Sequence, residues 1–369
     1  MEQAAREAAP KPLDSSTPYA EQAMFKDIFG TEPSVSVSAP GRVNLLGEHT
    51  DYNEGFVSPT PLPYQTYIEA APAEGLEVYS ENFREHKSRG LGVARQGDWL
   101  DYIAGCVWAL HQQGYPVPGL RAYVHSEVPM GGGLSSSAAL EVAALRALRA
   151  LYRLPDDMQI ALLAQQAEAA YVGVRCGIMD QMAASLGRLG YGLFLDTQNL
   201  QTRLAPLPQG YRVAVVDSAV PRRLAESGYN TRRSECERAC ELLGVKSLRE
   251  LSPADLPRLE ALPEPLNRRA RHVVTENQRV LDGVQALEQG NIKRFGELMV
   301  ASHISLRDDY EVSIPELDQL VEAELRHGAV GARLTGAGFG GSTVALVEES
   351  RYEEFMQGVL QDYPEARFF

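Results

Sequence analysis

The stretch Pro129-Met130-Gly131-Gly132-Gly133-Leu134-Ser135-Ser136-Ser137-Ala138-Ala139-Leu140 constrains this chain more than any other. An apolar, strand-like run, Leu120 to Val128, leads into it, and a long helical pattern, Ala138 to Leu154, follows. Three successive glycines let backbone N–H groups turn toward one point without obstruction by a Cβ. The serines fall where the helix should begin, and serine is a favoured N-cap. A helix N-terminus carries partial positive charge and free donors, so a glycine turn feeding one makes an anion site. The stretch reads as a phosphate cradle at a strand-to-helix junction; an ordinary glycine turn with a serine cap is the competing reading. It is not a Walker loop, because the chain contains no Gly-Lys pair. The cradle therefore lacks the usual phosphate lysine, and charge neutralisation falls to glycine N–H groups, a helix end, arginine and a metal.

Composition narrows the partners. The net charge of −14 lacks the basic footprint that nucleic-acid binding needs. A length of 369 residues suits two ordinary domains, and a 44% hydrophobic content can bury a large core. No apolar run approaches a membrane span. Residues 1–17 are expected to form a flexible tail, and Met1 to Asp14 lacks the apolar segment of a secretory signal. Of the cysteines Cys106, Cys176, Cys236 and Cys240, only the last two are close, at helical i,i+4 spacing. That pattern offers neither a disulfide framework nor a metal site, so a reducing, cytoplasmic setting is expected.

Along the chain, Tyr19 to Phe29 predicts a short helix, and Ser34 to Ala39, Tyr64 to Ala71 and Leu76 to Ser80 predict strands. Between them lies Gly41-Arg42-Val43-Asn44-Leu45-Leu46-Gly47-Glu48-His49-Thr50-Asp51-Tyr52-Asn53. Glu48, His49 and Asp51 crowd acceptors and a donor into four residues, which suits a polyhydroxylated ligand; a polar loop capped by Asp and Asn would contain the same residues. Trp99 opens a helix running to His111 and reads as core or as a ligand platform. Asp157 to Val172 predicts a further helix carrying Glu168. Asp180, in Gly177-Ile178-Met179-Asp180-Gln181, sits among apolar residues, and a buried carboxylate needs a partner. Arg42 is the candidate; Asp180 is also a candidate N-cap for a helix over Gln181 to Leu186. Tyr211 to Val216 predicts a strand that begins a second domain, after which helices dominate: Thr231–Leu243, Pro265–Gln289 and Ile292–His303. Gly336-Ala337-Gly338-Phe339-Gly340-Gly341 satisfies G-x-G-x-x-G, but Ser342 to Val347 continues as a β-like run. A dinucleotide fingerprint must open a helix, so that reading is rejected.

The order Pro-x-Gly-Gly-Gly-Leu-Ser-Ser-Ser-Ala resembles the central motif of the GHMP small-molecule kinases. Pro40 to Asn53, the Gly-Ile-Met-Asp-Gln element, Tyr229 before paired arginines and Ser305 to Ser313 narrow the resemblance to the galactokinase branch. The proline-rich Ser58-Pro59-Thr60-Pro61-Leu62 departs from that pattern and puts the local backbone shape in question. The resemblance implies an α+β, two-domain fold: a mixed-sheet domain over residues 18–208, an antiparallel-sheet domain over 209–369, and an active site in the cleft between them.

It also implies transfer of a phosphoryl group from ATP to the C1 hydroxyl of galactose. Gly131, Gly132, Gly133, Leu134, Ser135, Ser136 and Ser137 would hold the phosphates, with Ser80 and Trp99 on the nucleotide side. Ser137 and Glu168 would hold Mg²⁺. Glu48, His49, Thr50, Asp51, Gly177 and Tyr229 would hold the sugar. Asp180 would take the C1 proton and Arg42 would stabilise charge. Galactose and ATP are thus the expected partners, with no nucleic acid or membrane, and a monomer is compatible with the sequence. Two other readings stand: a sugar-1-kinase for an amino sugar, arabinose or a uronic acid, and a sugar sensor without turnover. A sensor should carry damage in the phosphate loop or at the base, whereas Ser136-Ser137-Ala138 and Asp180 are intact.

Overall fold

A computed structural model describes residues 22–154, 157–222 and 225–369. The expected tail over residues 1–17, and residues 19–21 of the first predicted helix, lie outside the described residues. In chain order the first elements are α1 (Gln22–Phe29), β1 (Val35–Asn44), β2 (Phe56–Val57), β3 (Pro59–Pro72), β4 (Gly75–Ser80), β5 (Glu85–Arg89), α2 (Leu100–Gln112) and β6 (Gly119–Ser126). Then come α3 (Ser136–Tyr152), α4 (Asp157–Gln166), a π-helical turn (Ala167–Val172), α5 (Met179–Leu186), β7 (Tyr191–Asp196) and β8 (Thr202–Pro206).

Five strands form one sheet in the order β1-β3-β6-β4-β5. Its β4–β6 pairing is parallel and the others are antiparallel, so the sheet is mixed as expected. Its apolar face, with Ile68, Val78 and Leu120, packs on α2 and α3 through Ile103, Leu110, Val142 and Leu148. The proline-rich segment belongs to β3, which begins at Pro59 rather than at Tyr64. Pro59 to Pro61 pair with β1, whereas β6 joins β3 only from Thr66 onward. Because Pro59, Pro61 and Pro63 alternate, their missing N–H groups fall on one side of the strand, and a segment paired on one edge only tolerates that.

The rest of the chain forms β9 (Tyr211–Asp217), α6 (Ala225–Leu243), α7 (Leu256–Leu259), α8 (Leu266–Glu288), α9 (Ile292–Asp308), α10 (Pro315–Arg326), β10 (Ala329–Leu334), β11 (Ser342–Glu348), α11 (Tyr352–Asp362) and β12 (Arg367–Phe368). These strands make an antiparallel sheet, β10-β11-β9-β12. A third sheet, β2-β7-β8, lies beside α8. One apolar cluster draws Val43, Leu46 and Val128 from the first part together with Val215, Val280, Phe295 and Val344 from the second. The sequence motifs converge around that shared core. Among the described residues, no helix is long and apolar enough to cross a membrane.

Three helices depart from expectation in ways that bear on the site. Helix α6 begins at Ala225 rather than Thr231, which puts Tyr229 on a helix. Helix α9 runs on to Asp308 and takes in Ser305 to Asp308. Helix α5 starts at Met179 with Ile178 as N-cap, so Asp180 sits inside the first turn and is not the cap. A carboxylate one turn in still faces the positive end of the helix.

Candidate active site

Residues 127–135 join β6 to α3 as a turn with Gly131 at φ 81°, Gly133 at φ 77° and Ser135 at φ 60°. The carbonyl oxygens of this loop are drawn outward. Gly132 O accepts from Ser342 Oγ at 2.8 Å, Gly133 O from Arg42 Nη1 at 2.7 Å, and Leu134 O from the Arg42 N–H at 3.0 Å. Among the described residues, no N–H of residues 131–135 finds a protein acceptor. Ser135 does not cap the helix as its residue type predicts. Its hydroxyl donates to Asp180 Oδ2 at 2.5 Å, and no side chain caps α3. The helix therefore keeps its first donors open, next to a loop whose own donors are also open. That is the chemistry of an anion cradle.

Asp180 and Arg42 meet as expected, although they lie far apart in sequence. Arg42 Nε donates to Asp180 Oδ1 at 2.7 Å, and Nη2 approaches the same oxygen to 2.6 Å. Burial is the strongest influence on the Arg42 guanidinium and opposes its charge. Asp180, Glu48 and Asp51 together outweigh it, so its pKa is raised.

Glu168 lies on the π-helical turn, a rare element that often marks functional sites. Ser137 Oγ donates to Glu168 Oε1 at 3.0 Å, and Gln181 Nε2 donates to Oε2 at 2.6 Å. Burial, followed by the Asp180 charge, lifts the Glu168 carboxyl to about 7. Glu141, one turn beyond Ser137 on α3, is a wholly buried neighbour of Glu168. Burial pushes it far above the carboxylate range. A hydroxyl and a carboxylate oxygen 3.0 Å apart, beside open phosphate donors, fit a hard divalent cation.

The loop after β1 holds the other expected residues in three different ways. Asp51 faces the site. Burial first, then Asp180, raises its carboxyl to about 7, and Gly177 is bare because the Asp51 carboxylate fills the place of a Cβ. Tyr229 closes the same side, its ring 5.6 Å from His49 and 5.0 Å from Tyr52. Glu48 is nearly inaccessible. Its Oε2 accepts from Arg333 Nη2 at 2.8 Å and from the Gly336 N–H at 2.9 Å, tying the loop to the glycine turn before β11.

Thr50 and His49 belong to the loop's own scaffold. Thr50 Oγ1 donates to Gly47 O and Phe56 O. Burial lowers the His49 imidazole to about 3, so the ring is neutral. Its Nε2 faces Ala337 O at 3.2 Å and must carry the proton, because a carbonyl only accepts. Nδ1 therefore accepts from Tyr52 Oη, which in turn accepts from Tyr310 Oη, both at 2.8 Å. A directed chain of hydrogen bonds thus fixes the loop against residues 310 and 337.

Ser80 and Trp99 come together around a third residue. Trp99 stacks on the exposed Phe83 ring at 5.9 Å, donates to Glu85 Oε2 at 2.8 Å and lies beneath Lys87 Nζ. The Phe83 N–H reaches Ser80 Oγ at 3.5 Å. Asn82 clasps Ser126, at the end of the strand that feeds the phosphate loop, by two hydrogen bonds of 2.8 Å. An exposed aromatic face therefore stands near the entry to the cradle.

Several participants were not legible beforehand. Arg333 is fully buried, Glu276 accepts from the Gly47 N–H at 2.8 Å, and Arg222 lies against Gly133. Each partners residues remote in sequence, and no local pattern announces such a residue.

A family model described as the GHMP kinases N terminal domain matches residues 101–188, and one for the GHMP kinases C terminal matches 284–365. A galactokinase galactose-binding signature matches residues 23–72. The chain is 46% identical over 354 residues to a galactokinase of Roseiflexus sp. (strain RS-1), covering 93% of this chain and 90% of that one. It is 45% identical over 366 residues to a galactokinase of Chloroflexus aggregans, with 95% and 93% covered. The crystal structure of Lactococcus lactis galactokinase complexed with galactose superposes with a TM-score of 0.89 at 35% identity, covering 94% of this chain and 96% of that one. A mevalonate kinase structure at 19% identity and a TM-score of 0.67, covering 91% and 98%, shares the fold alone.

Proposed function

The chain belongs to the galactokinase family of GHMP kinases, and from that premise we propose that it transfers the γ-phosphoryl group of ATP to the C1 hydroxyl of galactose. The observation that carries this reading is the Asp180–Arg42 pair, joined to the phosphate loop through Gly133 O and Ser135 Oγ. That arrangement sets an acceptor for a hydroxyl proton beside a row of open N–H donors. In the transfer, the sugar O1 forms a bond to the γ-phosphorus while the bond from that phosphorus to the β–γ bridging oxygen breaks, releasing ADP. The O1 proton passes to the Asp180 carboxylate. Arg42 holds Asp180 in place and offsets negative charge near the transferring group. A loose phosphoryl-transfer transition state asks mainly for alignment and charge neutralisation, which loop donors and arginine supply.

Ser137 and Glu168 would hold Mg²⁺, whose charge would shield the phosphate oxygens. Asp51 and Tyr229 border the sugar side, with Gly177 leaving Asp51 its room. Glu48, His49 and Thr50 shape the loop and, with Asp51, Gly177 and Tyr229, make up the sugar-binding side in this reading. The Trp99–Phe83 face is the adenine platform in this reading. The domain division lies between 208 and 209, ahead of β9, and the setting is cytoplasmic, in keeping with four free cysteines.

A coupled assay of ADP release against galactose, glucose, an amino sugar, arabinose and a uronic acid tests the reading. Galactose is expected to give the highest kcat/KM, since a site built to bond one hydroxyl rejects analogues that leave its buried partners unpaired. A higher value for another sugar would reassign the substrate. Galactose binding without any turnover would favour the sensor reading.

A further inference from the structure

The cradle has no lysine, yet the loop is not short of cations. Arg222 follows β9 in a segment strapped to the second glycine turn. Ser218 Oγ donates to Gly341 O at 2.7 Å, and the Gly341 N–H donates to Val220 O at 3.0 Å. From there the Arg222 guanidinium enters a slot between two glycine loops. A Cβ on Gly133, Gly336 or Gly341 would collide with it. Gly133 also needs its positive φ of 77°, so two independent demands make glycine necessary there.

The guanidinium is only partly satisfied by protein. Its Nη2 donates to Thr335 O at 2.9 Å and its Nε to Gly340 O at 3.3 Å. Among the described residues, Nη1 has no hydrogen-bond acceptor and no carboxylate pairs with the group. Of the carboxylates near it, Glu48 pairs with Arg333 and Asp180 with Arg42, while Asp217 accepts from the Ala219 N–H and makes no hydrogen bond to Arg222. Burial, then the like charge of Arg42, pushes Arg222 down to about 10, so it stays a cation at neutral pH. Two guanidinium groups thus flank Gly133, one on its carbonyl and one over its Cα. A desolvated cation beside another cation is costly unless an anion joins them.

We propose that Arg222 takes the place of the missing loop lysine, its Nη1 edge donating to the γ-phosphate of ATP held in the cradle. Arginine suits this task because its rigid fork can keep two donors on backbone carbonyls and offer another to a phosphate oxygen. This inference rests on the kinase reading above and adds a residue to it.

The test measures Arg222→Ala and Arg222→Lys for turnover, for calorimetric binding of β,γ-imido-ATP, ADP and galactose, and for thermal midpoint. For Arg222→Ala, kcat/KM for ATP should fall by at least about 10²-fold, the usual scale for a lost donor to transition-state charge. Affinity for the imido-triphosphate should fall far more than affinity for ADP, while galactose affinity holds. Methylguanidine should restore part of the turnover of Arg222→Ala and none of that of Asp180→Asn. Arg222→Lys keeps the stem and the charge; it should fold if the alanine variant does not, and it should show the same triphosphate-selective loss in milder form. Equal losses for imido-ATP and ADP, or turnover close to wild type, would overturn the proposal and leave Arg222 a strut between the loops. If the wild type fails to phosphorylate galactose, the kinase reading fails instead. The nucleotide-binding arms still judge Arg222 in that case.

Discussion

Replacing Asp180 with asparagine removes one charge while keeping the shape of the side chain, so the structure allows its cost to be worked out. Oδ1 receives Arg42 Nε at 2.7 Å and lies 2.6 Å from Arg42 Nη2; Oδ2 receives Ser135 Oγ at 2.5 Å. With its amide oxygen toward Arg42, asparagine keeps a neutral acceptor there. Its NH₂ would then face Ser135, whose hydroxyl can rotate to accept. No partner is orphaned; the Ser135 bond becomes an ordinary one, while the Arg42 bond keeps its charged donor and loses its ion pair. A charge-assisted bond contributes about 1.5–3 kcal/mol and a neutral one about 0.5–1.5, so the Ser135 bond loses about 1–1.5 kcal/mol; loss of the ionic partner of Arg42 adds a similar amount, about 2–3 kcal/mol in all. That lies below the 3–5 kcal/mol of a buried pair deprived of one partner. The 29% exposure of the Asp180 side chain, against 6% for Arg42, argues for the lower end. At about 2–4 °C per kcal/mol for a large domain, the thermal midpoint should fall by roughly 4–8 °C. Activity should fall much further: loss of the proton acceptor lowers kcat by at least about 10²-fold. Calorimetry should show galactose still bound, and differential scanning fluorimetry reads the midpoint. A kcat within tenfold of wild type would refute the assignment of Asp180 as base. An unchanged midpoint would refute the coupling to Arg42 on which the arithmetic stands.

Other substitutions separate chemistry from scaffold. Glu168→Ala should cut turnover severely while galactose affinity holds, and near-normal turnover at limiting Mg²⁺ would remove Glu168 from the metal site. Glu48→Ala leaves the fully buried Arg333 without its carboxylate; a loss of about 3–5 kcal/mol is expected from denaturant titration, and an unchanged unfolding midpoint would count against the pairing. Glu324 is buried beneath β11 with, among the described residues, only Thr343 Oγ1 bonded to its carboxyl, and burial raises it to about 8 from the usual 4.5. A carboxyl raised on folding stabilises fully below its unfolded value, and that contribution fades as pH rises through the folded one. Relative to Glu324→Gln, the wild type should therefore lose thermal stability between about pH 4.5 and about pH 8 and level off above that; a pH-independent difference would sink the idea.

The elements that were legible beforehand owe this to local physics. The glycines and serines of residues 131–137 announce a turn and a helix start because backbone freedom and open donors depend only on those residues. The run after Gly341 is read as a strand, and the dinucleotide reading falls, because alternation and β-branching are also local. The prolines left the start of β3 unread for the opposite reason. Whether a proline breaks a strand depends on how many neighbours the strand has at that point, and the partner of Pro61 is set by the β1 register.

Sequence alone thus determined the glycine turns, most of the helices, half of the strands, and the residue types from which phosphoryl transfer can be built. Tertiary structure decided what each polar group does once folded. Ser135 leaves its cap for Asp180 because α5 brings a carboxylate within reach. Glu48 is committed to Arg333 and Gly336, and His49 to Tyr52 and Ala337, because β10 and the following turn close over the loop after β1. Arg222 reaches Gly133 for the same kind of reason, across about a quarter of the chain. A side chain's type lists the bonds it can make; only the packing of distant segments, which removes water and supplies partners, selects among them.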